Sequence, residues 1–203
     1  MITEVVFDCE TQKLFNEIGS GDPADLGISI VSVYVRTVDE TQKELSGTMY
    51  SFWENELADM WKFFSGAQRI IGFNSVKFDV PALKKYSPTG FESLPHFDIM
   101  KAVRDQLGFS LSLNHLASQT MGKYKSDVGT NAVKYWKAHD EESLRKLKFY
   151  CEADVTLTKD LYDYGVEYKK LKYLDKWNNP KDIPVDFSYP ASVIEASRQI
   201  GLF

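Results

Sequence analysis

Cysteine is scarce. Cys9 and Cys151 are the only two in 203 residues, too few and too far apart for a disulfide framework or a zinc site, which needs further ligands at close spacing. A reducing, cytoplasmic setting is the expectation that follows. The N-terminus opens directly into Ile2-Thr3-Glu4-Val5-Val6-Phe7 without a basic segment followed by an apolar run, so no signal peptide is expected. No apolar stretch is long enough to span a bilayer, and no membrane partner is expected. An excess of positive charge is also missing. A formal net charge of −5 argues against a protein that grips a duplex by charge alone, since phosphate neutralisation needs clustered Lys and Arg. Lysines gather only locally, as at Lys123 and Lys125, a pattern that any solvated face shows.

What the chain does have is an ordinary globular composition, with 43% hydrophobic, 14% aromatic and 26% charged residues, enough to build one well-buried core. Glu4 to Glu10 reads as a buried strand that ends in two acids. Leu26 to Arg36 and Glu44 to Phe52 read as two further strands in an antiparallel meander, followed by a helix over 55–64 and a short buried strand from Arg69 to Phe73. From Asp79, which suits a cap, the chain turns helical, with Pro81 tolerated in the first turn. Helices follow over 99–107, 111–121, 131–139 and 141–164. Val166 to Leu174 fits either a strand or a helix. Asn178-Asn179-Pro180 and Ile183-Pro184 mark turns, Val185 to Tyr189 reads as a short strand, and 190–203 as a terminal helix or tail. Strands first and helices later suggest an α/β arrangement around a mixed sheet.

Three elements carry acids suited to chemistry. Alternation along a strand puts Asp8 and Glu10 on one side and Cys9 on the other, with the two carboxylates about 7 Å apart. Ionised together they raise each other's pKa, and a divalent cation resolves the conflict. Taken alone, the pair is better read as two exposed acids where a strand ends. The second element, Asn74 to Asp79, lies where a strand passes into a helix and would alone be an ordinary cap. The third places Tyr150 and Asp154 on one face of the long helix, four residues apart. Their order along the chain is what raises the three above their separate readings.

Phe7-Asp8-Cys9-Glu10-Thr11, Asn74 with Phe78-Asp79, and Tyr150 with Asp154 together resemble the three exonuclease motifs of the DnaQ-like, or DEDD, superfamily. Ile70-Ile71-Gly72-Phe73-Asn74 and Leu113-Asn114-His115-Leu116-Ala117 also resemble its members. A tyrosine four positions before the last acid, where another branch has a histidine five before it, is similar to the DEDDy branch. The resemblance implies a ribonuclease H-like α/β fold, a mixed central sheet flanked by helices, over residues 1–165. Residues 166–203 are then a C-terminal extension packed on or appended to the same domain. Cys9 stands where an aliphatic residue is more usual.

By the same resemblance the chain is a 3′→5′ exonuclease that hydrolyses phosphodiester bonds at the 3′ end of single-stranded nucleic acid, DNA being favoured, with two Mg²⁺ or Mn²⁺ ions. Asp8 would bridge the ions, Glu10 and Asp154 would hold the one carrying the attacking water, and Asp8 with Asp79 the other, while Tyr150 orients the water. Asn74 is expected to position the loop or substrate, Phe78 (or Phe73) to stack on the terminal base, and Thr11 to touch the terminal nucleotide. His115, His96 and His139 receive no catalytic role. Two rivals stand beside this reading: an RNA or oligonucleotide exonuclease of the same fold, and a ribonuclease H-like binding subunit of a polymerase or helicase assembly.

Overall fold

The structure, a computed structural model, describes residues 1–125 and 129–200, with side chains through 195 in the last helix. Its centre is β1 (Ile2–Thr11). β2 (Ile28–Val38) pairs antiparallel with β1, and β3 (Glu44–Trp53) antiparallel with β2, which is the expected meander. On the other side β4 (Arg69–Gly72) and β5 (His96–Asp98) add in parallel, giving the mixed order β3-β2-β1-β4-β5.

Alternation along β1 splits the core into two layers. Val5, Phe7 and Cys9 pack with Ile70, Val31 and Val33 against Leu57, Met60 and Phe64 of α1 (Leu57–Phe64) and Ala82 of the single-turn α2 (Asp79–Ala82). On the opposite face Val6 and Ile71 meet α3 (Ile99–Leu107), α4 (Leu113–Met121) and α6 (Glu141–Tyr168). α5 (Gly129–Ala138) closes one end with Ala132 against Leu147, Tyr150 and Cys151. Each fully buried side chain of this size is worth about 1.5–3 kcal/mol. Covered faces on both sides explain why β1 reads as a nearly unbroken apolar run.

Several expectations are corrected. β5 is a strand that the sequence pattern does not announce, because three residues carry no readable period. The stretch 166–174 is both things at once: α6 continues to Tyr168, Lys169 takes a left-handed φ of 55°, and β6 (Lys170–Leu174) follows. Ile183-Pro184 is no turn but the end of β7 (Pro180–Pro184), which pairs antiparallel with β6; a two-stranded hairpin tolerates proline because one edge of each strand faces no partner. Val185 to Tyr189 has the alternation of a strand, with Val185, Phe187 and Tyr189 buried, yet past the Val185 N–H, which donates to the Lys169 carbonyl at 3.0 Å, it joins no ladder among the described residues. The Arg69 guanidinium takes the place of a partner strand, donating to the Phe187 carbonyl at 2.6 Å and the Ser188 carbonyl at 2.9 Å. α7 (Ala191–Ile200) follows, and 201–203 lie outside the described residues. Among the described residues no helix is long and apolar enough to cross a membrane.

Candidate active site

The end of β1 delivers Asp8 and Glu10 to the face covered by α6. α6 starts at Asp140, whose carboxylate accepts the Ser143 N–H at 2.9 Å, and it brings Tyr150, Cys151 and Asp154 over that face. One carboxylate oxygen each from Asp8, Glu10 and Asp154 lies within 4.8 Å of the others. Asp8 and Glu10 are half-buried and Asp154 is buried.

Asp79 comes from α2 to lie beside Asp8, outside the group that Asp8, Glu10 and Asp154 form, and it does not act as the helix cap expected of it. It stands inside the first turn, not at the cap, and its Oδ1 accepts the Cys9 N–H at 3.0 Å. The two acid-bearing elements are thereby tied together. The loop leading to it is built by close approach: a Cβ on Gly72 would lie 2.4 Å from the Ser75 Cβ, so only glycine lets the chain fold back there. Asn74 takes a left-handed φ of 64°, and its N–H donates to Asp98 Oδ1 at 2.9 Å, while the Val76 N–H donates to Asp98 Oδ2 at 3.2 Å.

The electrostatics follow from crowding acids into a low-dielectric site. Burial, then Asp79, Asp154 and Glu10, push the Asp8 carboxyl well above its usual range. Burial and Asp154 do the same to Glu10. Asp79 is pushed up to about 6, because burial outweighs the hydrogen bonds from Cys9. Asp154 is raised by burial against the opposing pull of Lys125. Burial and the Asp154 charge keep the Tyr150 phenol protonated far beyond neutrality.

Lys125 was legible only as one of several clustered lysines. Its Nζ lies 2.5 Å from Asp154 Oδ2 and donates to the Tyr150 hydroxyl at 3.3 Å. Burial works against its charge, but Asp154 and Asp8 hold the ammonium above its ordinary range. Its own N–H is fixed by Asn114 Oδ1 at 2.9 Å. Asp98 was also missed, although an Asp directly before a helix is a capping signal; it caps α3 through the Lys101 N–H at 3.1 Å. The Cys151 thiol donates to the Asp8 carbonyl at 3.5 Å.

The remaining expected contacts are less open. The Thr11 hydroxyl is buried and donates to the Lys13 carbonyl at 2.9 Å. Phe78 is half-buried against the core around Phe7 and meets Phe15 edge-on at 6.1 Å, leaving Phe15 as the exposed ring of the two. His115 accepts the Leu174 N–H through Nε2 at 3.2 Å, a structural use of that ring.

The residues present fit a divalent cation. Asp154 Oδ1 is buried and, among the described residues, has no hydrogen-bond partner, which is costly unless something else satisfies it. The donors are all oxygen, as Mg²⁺ and Mn²⁺ prefer.

A mixed five-stranded sheet between helical layers, with acids converging at the end of its central strand, defines a ribonuclease H-like α/β domain. The chain belongs to the RNase_H superfamily: the family model RNase_H_2 matches residues 5–166. The α/β fold expected from the motifs is thus the observed one. Among solved structures it is similar to the family B DNA polymerase from the hyperthermophilic archaeon Pyrobaculum calidifontis, at 18% identity and a TM-score of 0.58, covering 82% of this chain and 25% of that one. It is also similar to E. coli ExoI in a zinc-bound complex with single-stranded DNA, at 16% identity, a TM-score of 0.47 and coverage of 81% and 40%. E. coli exonuclease I with a dA16 oligonucleotide aligns at 14% identity, a TM-score of 0.43 and coverage of 81% and 41%. The chain therefore spans well under half the length of these proteins. No curated protein matches it.

Proposed function

We propose that this chain is a metal-dependent 3′→5′ exonuclease acting on single-stranded nucleic acid, DNA in preference to RNA. Residues 1–165 form the catalytic unit, with 166–203 as an extension of the same domain. The observation that carries the reading is the convergence of Asp8, Glu10 and Asp154 from β1 and α6, with one buried Asp154 oxygen unpartnered.

Asp8, Glu10 and Asp154, with Asp79 beside Asp8, would hold two Mg²⁺ or Mn²⁺ ions. Such ions supply Lewis acidity that activates a water and neutralises charge building on the phosphoryl oxygens. The protein's own part is positioning. Asp79 locks the backbone of β1 through the Cys9 N–H and so fixes where Asp8 and Glu10 point. Tyr150, kept protonated by burial and by Asp154, serves as a hydrogen-bonding group that orients the attacking water and not as its base. Lys125 places positive charge against Asp154 and Tyr150, where a phosphate oxygen can also be met. Asn74, through its loop, Phe78 with Phe15, and Thr11 flank the end of the strand being trimmed.

The test is a time course with Mn²⁺ on matched DNA and RNA single strands labelled at the 5′ end. Progressive shortening, faster on DNA, is expected. Faster shortening of RNA would move the substrate to RNA, and binding without shortening of either strand would make the chain a binding subunit.

A further inference from the structure

The β6–β7 hairpin lies outside the acid cluster. Residues 169–184 carry five lysines and two aspartates, a basic element in a chain whose net charge is −5. One of those lysines, Lys170, is paired with Asp182 at 2.7 Å. At its tip Trp177 is 70% exposed, with the Lys176 ammonium 4.3 Å from its ring centroid. A tryptophan so far out of the core gives up the stabilisation that burial would bring.

The tip is nevertheless built. Asp175 Oδ1 accepts the N–H groups of Trp177 and Asn179, each at 2.9 Å, and Asn178 takes a left-handed φ of 62°. The other aspartate is thus folded into the turn, and the indole is presented on a fixed backbone. Tyr173 on β6 meets the exposed ring of Phe109 edge-on at 6.2 Å, adding a second aromatic surface.

Position relates this tip to the acids. The Leu174 N–H is held by His115, the neighbouring Asn114 holds the Lys125 N–H, and Lys125 reaches Asp154. One chain of contacts therefore runs from the base of the tip to the cluster. Exposed aromatics interleaved with lysines suit a single-stranded polyanion, whose bases stack without sequence preference while its phosphates meet the ammonium groups.

We infer that the Trp177-tipped hairpin is a second contact for single-stranded nucleic acid, holding the strand away from the end that sits at the acids. The inference rests on the exonuclease reading, but its test separates the two. The whole 203-residue chain in chelator is titrated into fluorescently labelled oligothymidylates of increasing length, up to roughly 16 nucleotides. Affinity rises with length in the wild type; Trp177→Ala removes the rise and weakens the longest strand's binding roughly tenfold, while Trp177→Phe restores most of it. Lys176→Gln lowers the salt slope by about one. Wild-type binding of the longest strand by Trp177→Ala overturns the inference, as it would if the tip served a protein partner. Trp177-dependent binding in chelator, by a chain that releases no nucleotide from any strand once Mn²⁺ is supplied, upholds the hairpin contact and overturns the exonuclease reading alone.

Discussion

Asp8 is held near three other acids in a site that disfavours charge on all of them. The sign of the resulting pH dependence is set by Asp79, whose pKa is about 6 in the folded chain against an ordinary 3.8. A carboxyl raised on folding contributes fully at low pH, where both states are protonated, and its contribution is lost as pH rises through 6. Without a divalent cation the folded state is therefore penalised at pH 8 and relieved at pH 5. Adding Mn²⁺ should raise the thermal midpoint more at pH 8 than at pH 5, as calorimetry would record; equal shifts at both would show that the acids do not bind it. Tyr150→Phe removes the hydroxyl but leaves every carboxylate, so nucleotide release should fall by about 10- to 100-fold without vanishing. Single-turnover rates would check this, and a rate unchanged by the substitution would remove Tyr150 from the mechanism.

At the scale of elements, α6 joins the site to the rest of the fold. Tyr150 and Asp154 sit in its middle, and Gly165 near its end receives Phe187 of the C-terminal segment. A Cβ there would lie 2.3 Å from the Phe187 ring, which is itself stacked on Tyr162 at 5.5 Å. Gly165→Ala should cost about 1–3 kcal/mol by overpacking, read as a lower urea midpoint, with nucleotide release at 25 °C retained. An unchanged midpoint would mean that the segment shifts freely. The elements whose period is long enough to see in the sequence are among those the fold contains: β1, the meander, α3 and the long helix α6. The sequence pattern fails where a third partner decides the outcome. The alternation of Val185 to Tyr189 was visible, but nothing local says that Arg69 would replace a partner strand. Strand alternation puts Asp8 with Glu10 and helix spacing puts Tyr150 with Asp154, but it is the resemblance of the three ordered motifs that joins them to Asp79 as one set. Lys125 reaches Asp154 across the fold, which no local spacing encodes, and while the capping of α3 by Asp98 is a local signal, its hold on the Asn74 loop is not.

Across the whole molecule, the end of β1 opposite the acids carries a buried row of charges. Glu4 lies in register with Arg36 on β2 and Arg69 on β4, and its carboxylate accepts from Arg36 Nε at 2.7 Å and from the Tyr189 hydroxyl at 2.6 Å. This row ties both sides of the sheet and the C-terminal segment together. Glu4→Ala would leave the Arg36 Nε and the Tyr189 hydroxyl without their buried acceptor, while Glu44 and Asp163 still hold the rest of the Arg36 guanidinium, and should cost about 3 kcal/mol, measured by denaturant unfolding; a loss under 1 kcal/mol would show the row to be dispensable. The same strand thus carries a structural ion cluster at one end and the proposed chemistry at the other. The chemistry is tested most directly with a single strand labelled on its 3′-terminal nucleotide, incubated with Mn²⁺ and either the wild-type chain or Asp8→Asn. The account predicts that the label leaves first, as a free nucleoside 5′-monophosphate, and that Asp8→Asn slows its release by roughly 10³-fold or more. Label that stays on the strand, or that leaves equally fast with the variant, would contradict it.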